Sequence, residues 1–220
     1  MVKGDALAPT RGNDRINPSF EHAKAVLMVD IVRGNDQRLR PQRAQGREDA
    51  GMDASILKGR PVRESRSEYT YVALPNDANA LGNLLGGRVM HLVDICAWLA
   101  AQRHARGPLV TAAIDQMSFM HPTRIGQLLI LRSSVNRVFR TSMEVGVKVW
   151  VEDLQTGEVR HTSSAYLTFV AIGEGGKPVA VAPVIAESEE EERRYDEAGR
   201  RREQRLAARD SVAPLNKVRS

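Results

Sequence analysis

Asp94 sits near the start of HLVDICAWLAA (91–101), a run otherwise almost free of polar side chains. An unpaired carboxylate taken out of water costs on the order of several kcal/mol, so this one needs a hydrogen-bonding partner or a wet pocket. Such a group can work as a general base or a nucleophile; it can equally be a structural Asp that caps a loop or completes a buried pair. Gly86 and Gly87 stand just upstream. Paired glycines at a helix start leave the first-turn N–H groups uncovered, along the positive end of the macrodipole, where they can polarise a carbonyl oxygen. A tight loop-to-helix turn would use the same pair. Asp94 lies two helical turns beyond Gly87, about 10 Å along the axis, so one extended ester or thioester group can reach both. Asn79 and Asn83 precede the glycines among turn-forming residues, and either fits there for backbone conformation alone.

Other chemistries lack their residues. His91, His104, His121 and His161 show no H-x-x-x-H or H-E-x-x-H spacing, so no metal is expected. There is no G-x-S-x-G, no Walker-type phosphate loop and no G-x-G-x-x-G. Cys96 is the only cysteine and lies inside the apolar run, which rules out an intrachain disulfide and argues against a thiol nucleophile. Any catalysis falls to a carboxylate and backbone amides.

The elements around these residues read clearly. Tyr69–Leu74 (YTYVAL) is a strand stopped by Pro75, and a loop runs on through Asn83. A helix is predicted from about Leu85 to Arg103, closed by Arg106-Gly107-Pro108. Four strands should follow, Leu109–Phe119, Gln127–Phe139, Ser142–Asp153 and Glu158–Ile172, with short turns that predict a meander. Met143, Val145, Val147, Val149 and Val151 alternate with Glu144, Gly146, Lys148, Trp150 and Glu152, the period of a half-buried antiparallel strand. The helix is apolar nearly all round and should be buried on every side. One flat sheet cannot do that, so the expectation is a sheet that curls around it and a second subunit over the remainder.

At 220 residues the chain is one domain with tails, or two small ones. Its 42% hydrophobic content is ordinary, but 5% aromatics and a mean hydropathy of −0.36 mean that part of it is not core. Residues 66–172 hold only 18 of the 59 charges and are read as the domain. Residues 1–65 are expected to be a poorly ordered extension, with residues 1–51 either a native tail or a start-site artefact upstream of Met52. Residues 173–220 should form a polar, charged tail, partly helical. Glu189/Arg193, Glu190/Arg194 and Glu197/Arg201 support helix there, yet no apolar stripe does, so a solvated or frayed helix or an oligomer contact is expected. The net charge of +5 comes without a basic run interleaved with aromatics, so nucleic acid is not an expected partner. No segment is long and apolar enough for a membrane span and no leader pattern stands at the start, which predicts a cytoplasmic protein without membrane partners.

The pattern P-x-D-x-N-x-x-G-(x)3-GG-(x)6-D in LPNDANALGNLLGGRVMHLVD (74–94), followed by SFMHPTRIGQ and FRTSMEVGVKVWVED, resembles the hot-dog-fold acyl-CoA thioesterases, the broad-range bacterial and cytosolic mammalian acyl-CoA hydrolases. The resemblance covers about residues 68–172. It implies an α+β hot-dog fold, one long central helix wrapped by a curved antiparallel sheet in the order β-α-β-β-β-β. It also implies hydrolysis of acyl-CoA to a free fatty acid and CoA, with no cofactor because CoA belongs to the substrate. Asp94 would be the catalytic carboxylate, Asn79 the loop asparagine that works with the Asp of an opposing domain, and Gly86 and Gly87 the amides facing the thioester carbonyl. Arg140, Thr141 and Ser142 would lie near the nucleotide part of CoA. The family forms dimers and, in many members, trimers of dimers. A hot-dog hydratase using His91 with a carboxylate, or a non-enzymatic acyl-CoA sensor, are the alternatives.

Overall fold

The computed structural model describes residues 57–115 and 117–212. Residues 1–56, most of the expected extension and all of the start-site question, lie outside that range. The end of the extension does not. Arg60–Pro61 (β1) pairs in parallel with Val184–Ile185 (β7), and Val62–Ser65 makes a 3-10 turn. The folded unit therefore starts before residue 66. Val62 and Ser65 are buried, and the Ser65 hydroxyl donates to Val62 O at 2.7 Å while accepting Val135 N–H at 3.0 Å.

The main sheet contains Ser67–Val72 (β2), Leu109–Ile114 (β3), Leu128–Val138 (β4), Ser142–Glu152 (β5) and Val159–Ala171 (β6), in the order β2-β4-β5-β6-β3 with every neighbour antiparallel. It curls around Gly86–Ala105 (α1), which is the hot-dog arrangement. The alternation in β5 holds: Met143, Val145, Val147, Val149 and Val151 all face the core with Leu92, Val93, Cys96 and Ala97 of α1.

The expected four-strand meander needs correction. Strands β4, β5 and β6 form one, but β3 lies at the far edge against β6, with Thr111 opposite Phe169. Its ladder breaks after Ile114 instead of reaching Phe119, behind a register shift at Thr111/Ala113. The link to β4 follows the start of β6, through Asp115 N–H to Tyr166 O (2.9 Å) and Met120 N–H to Thr162 O (3.0 Å). That link, carrying Pro122, is long enough to cross to the other side of the sheet, which a tight hairpin is not.

The charged tail is also more than a solvated helix. Glu189–Val212 (α2) lies on the outer face of the sheet and docks through polar groups. Ser188 Oγ accepts Glu191 N–H (3.3 Å) and Glu191 Oε2 accepts Glu187 N–H (2.8 Å), a reciprocal cap at the helix start. Arg201 pairs with Glu144 of β5 at 2.7 Å and stacks 3.6 Å above the Tyr166 ring, while Arg205 pairs with Asp115 at 2.6 Å. No apolar stripe is needed for this contact. Among the described residues, no helix is long and apolar enough to cross a membrane.

His104, in the last turn of α1, is fully buried, with Nε2 2.8 Å from Ala182 O and Nδ1 unpartnered. Burial pushes this imidazole below its ordinary value. The unfolded chain therefore takes up the proton at higher pH than the folded one does, and stability should fall as pH drops below about 6.5. Melting temperature measured between pH 7.5 and 5.5 should decline less steeply in His104→Gln than in the parent.

Candidate active site

Residue positions on α1 sort themselves by helical period. Val89, Leu92, Val93, Cys96 and Ala100 face the sheet and are buried, and the small side chains of Ala97 and Ala101 are buried as well. Gly87 and Asp94, seven residues apart and thus within about 20° of one line down the helix, share the opposite face with Met90, His91 and Trp98. This face is the remainder of the helix for which a second subunit was expected. Met90 is 41% and Trp98 43% exposed, because the sheet curls over one side of α1 only.

Asp94 is half-buried, and its partner is Thr111. The Thr111 hydroxyl, on β3, donates to Asp94 Oδ1 at 3.0 Å. That bond holds one carboxylate oxygen, and among the described residues Oδ2 makes no hydrogen bond. Thr111 escaped the sequence reading, although a signal exists: it is the one hydroxyl in the otherwise apolar strand LVTAAI.

Neither backbone conformation nor crowding explains Gly86 and Gly87. Neither has a positive φ. A Cβ built on Gly87 meets nothing within 4 Å, and one on Gly86 meets only the Phe119 ring at 3.7 Å. Intrahelical bonding begins with Arg88 and Val89 N–H to Leu85 O, at 2.9 and 3.1 Å. The two glycine N–H groups thus have no backbone acceptor among the described residues, and the surface above them is open to something from outside the chain.

Asn79 lies in an exposed hairpin-like loop. Its Oδ1 accepts Leu81 N–H (2.9 Å) and Asn83 N–H (3.2 Å), so the turn reading of this residue is correct as far as the oxygen goes. That leaves Nδ2 as a donor without a hydrogen bond among the described residues. Asn83 serves the loop through its backbone, with its carbonyl accepting Asn79 N–H at 2.8 Å. No hydrogen bond links Asn79 to Asp94 within the chain, nor His91 to Asp94, among the described residues.

Arg140 and Thr141 form the β4–β5 turn, closed by Phe139 N–H to Ser142 O at 2.7 Å. Register places this turn at the Thr111 end of the sheet, since Thr111 faces Phe169 and Phe169 faces Met143. Arg140 is exposed and Thr141 half-buried, but Ser142 is buried on the outer face with its hydroxyl taken by Arg202 at 3.2 Å. The third of these expected CoA contacts thus shares its hydroxyl with α2. Cys96 is fully buried beside Ser133 Oγ (3.3 Å), and burial pushes its thiol up, which suits a packed side chain and not a nucleophile.

Comparison with known proteins decides the family. Residues 81–158 match the thioesterase superfamily. An uncharacterized acyl-CoA thioester hydrolase of Bacillus subtilis, YkhA, is 41% identical over 129 residues, 59% of this chain and 75% of that one. The chain belongs to the thioesterase superfamily. Among solved structures, this thioesterase-superfamily chain is similar to an apo-hexameric acyl-CoA thioesterase (41% identity, TM-score 0.67, 69% of this chain and 97% of that one). It is also similar to the acyl-CoA hydrolase of Staphylococcus aureus solved with butyryl coenzyme A and coenzyme A (30% identity, TM-score 0.65, 72% of this chain and 99% of that one). The Staphylococcus protein has further been solved with alanine replacing an asparagine, an aspartate and a threonine, which are 15 and 17 residues apart in turn. Asn79, Asp94 and Thr111 have the same spacing here.

Proposed function

We propose that this chain hydrolyses acyl-CoA thioesters to a free fatty acid and CoA, with Asp94, Thr111, Asn79 and the Gly86 and Gly87 amides as its machinery. The observation that carries the reading is Asp94 itself, a half-buried carboxylate steadied by Thr111 on the same open helix face as two unshielded, acceptor-free amides. The shared spacing of the Asn, Asp and Thr in a hydrolase solved with CoA ligands supports it.

The thioester oxygen lies against the Gly86 and Gly87 N–H groups, which strengthen their bonds as negative charge builds on it. Asp94 Oδ2 takes a proton from an attacking water or itself attacks the carbonyl carbon. The C–S bond then breaks, CoA leaves as the thiolate and is protonated, and water supplies the oxygen of the acid. Because Asn79 Oδ1 is spent on its own loop, Asn79 acts through Nδ2, as a donor to the carbonyl oxygen or to the water. In this reading the β4–β5 turn, Arg140 and Thr141 with Ser142 beside them, meets the nucleotide end of CoA.

Asn79 and Asp94 do not meet within one chain, so the site is completed by a second copy. Met90 and Trp98 on the open face of α1 and the unpaired outer edge of β3 are the surfaces such a copy would cover. We read the assembly as a homo-oligomer built from dimers, and as a trimer of dimers by analogy with the hexameric relative.

A thiol-detecting dye, used with acyl-CoAs of increasing chain length, tests the reaction directly and reports the preferred acyl group. Thr111→Ala should lower kcat by about tenfold to 100-fold, the worth of one hydrogen bond to a charged group, with Thr111→Ser largely restoring it. Wild-type kcat in Thr111→Ala would remove Thr111 from the machinery.

A further inference from the structure

The Asp of the P-x-D-x-N segment, Asp77, has no part in the chemistry above, yet its side chain joins the loop to both a strand and a helix. Tyr71 of β2 donates its hydroxyl to Asp77 Oδ2. Arg88, in the first turn of α1, brings Nε to 3.3 Å from Asp77 Oδ1 and donates from Nη2 to the Tyr71 oxygen at 3.3 Å. The Arg88 guanidinium also lies 5.0 Å from the Tyr71 ring centroid. The backbone of Asp77 joins in, with its carbonyl accepting Leu85 N–H, the residue that caps α1, at 2.9 Å. One residue thus ties together the strand that leads into the loop, the loop, and the helix that leaves it.

The rest of the loop is held on its other flank by backbone bonds, Leu84 N–H to Thr123 O (2.8 Å) and Ile125 N–H to Gly82 O (3.2 Å), beside the buried Leu84 side chain. Those bonds act as a hinge line. Rotation about it would swing Asn79, two residues beyond Asp77, while leaving its own turn intact. The Asp77 contacts oppose that rotation. Asp77 and Arg88 are 22% and 32% exposed, so the pair is partly shielded from water; it is held as an ion pair and not as a hydrogen bond, since Arg88 Nε makes none among the described residues.

We propose that Tyr71, Asp77 and Arg88 form a positioning cluster that sets the reach of Asn79 toward the reacting group, and through it the rate at Asp94 of the neighbouring subunit. The proposal rests on the hydrolase reading above. None of the three side chains needs to touch substrate; a displacement of about 1 Å at Asn79 is enough to cost up to about 100-fold in rate.

The test is a kinetic cycle of Asp77→Asn and Asn79→Ala in the full chain, with melting temperature and oligomer size followed throughout. Asp77→Asn keeps the shape and the Tyr71 contact but removes the charge that holds Arg88. It should lower kcat about tenfold with KM changed less than about twofold. In the Asn79→Ala background the same change should have no further effect, because the group it positions is gone. Arg88→Gln, which breaks the pair from its other partner, should give the same pattern and replaces Asp77→Asn if that variant folds poorly. A second subunit is read out by mixing: Asp77→Asn and Asp94→Asn chains, each slow alone, should regain activity when reassembled together, since one site then combines an intact loop with an intact carboxylate. Unchanged kcat in Asp77→Asn, or losses that multiply with Asn79→Ala, would overturn the positioning role while leaving the hydrolase reading in place. Full hydrolysis by Asp94→Asn alone would instead overturn the catalytic role of Asp94, and absence of thiol release by the parent chain would overturn the hydrolase reading itself.

Discussion

Asp94→Asn should lower kcat for acyl-CoA hydrolysis by about 1000-fold, with KM, melting temperature and oligomer size close to those of the parent. The size follows from the role: removing a general base or nucleophile costs about 100-fold to 10,000-fold. The silence of the other readouts follows from geometry. Asparagine has the shape of aspartate, its Oδ1 can still accept the Thr111 hydroxyl that now bonds Asp94 at 3.0 Å, and the site is half-buried and not part of the core. Steady-state thiol release and calorimetry on the same samples check both halves. A kcat within threefold of the parent would remove Asp94 from the catalytic machinery. A collapse in stability would instead make Asp94 a structural residue, tying β3 to α1.

Glu144→Gln should destabilise the fold by about 3 kcal/mol, a loss of roughly 10 °C in melting temperature for a domain of this size. Glu144 is fully buried on the outer face of β5 and holds Arg201 at 2.7 Å, with Asn136 Nδ2 at 3.1 Å and Arg205 at 3.6 Å beside it. Without the carboxylate, the Arg201 guanidinium is left charged and poorly paired under its own helix. The figure sits at the low end of the range for a broken buried pair because Arg201 remains 20% exposed and water reaches it. The counter-experiment is Glu144→Gln with Arg201→Met. Removing both charges should recover part of the loss, since most of the cost lies in stranding one partner. Additive losses in the double variant would mean that the two residues act independently and that α2 is held by something else.

The periodic strands β4, β5 and β6, the helix α1 and the paired glycines before Asp94 were all legible in the amino-acid sequence. Each is a local signal: alternation over a dozen residues, a stop at Gly107-Pro108, a loop rich in Asn. Thr111 was not legible as a partner of Asp94, because one hydroxyl in an apolar strand gains meaning only once that strand is laid beside the helix. The position of β3 escaped for a related reason. Short turns determine neighbours, and the link after Ile114 is not short. Docking of α2 was hidden because its apolar content is slight. The Arg201–Glu144 and Arg205–Asp115 pairs join groups 57 and 90 residues apart, beyond any periodic pattern.

Chain order alone therefore settled which residues could carry the chemistry, through the spacing of Asn79, Gly86, Gly87 and Asp94 on a loop and one helix face. Tertiary structure alone decided which of them are held and which are free. It gave Asp94 a hydroxyl that holds one oxygen, spent the Asn79 oxygen on its loop, bonded the Ser142 hydroxyl to Arg202 of α2, and left one face of α1 uncovered within the single chain. Spacing along a helix is a property of the backbone, whereas the partner of a polar side chain depends on what folding brings alongside it.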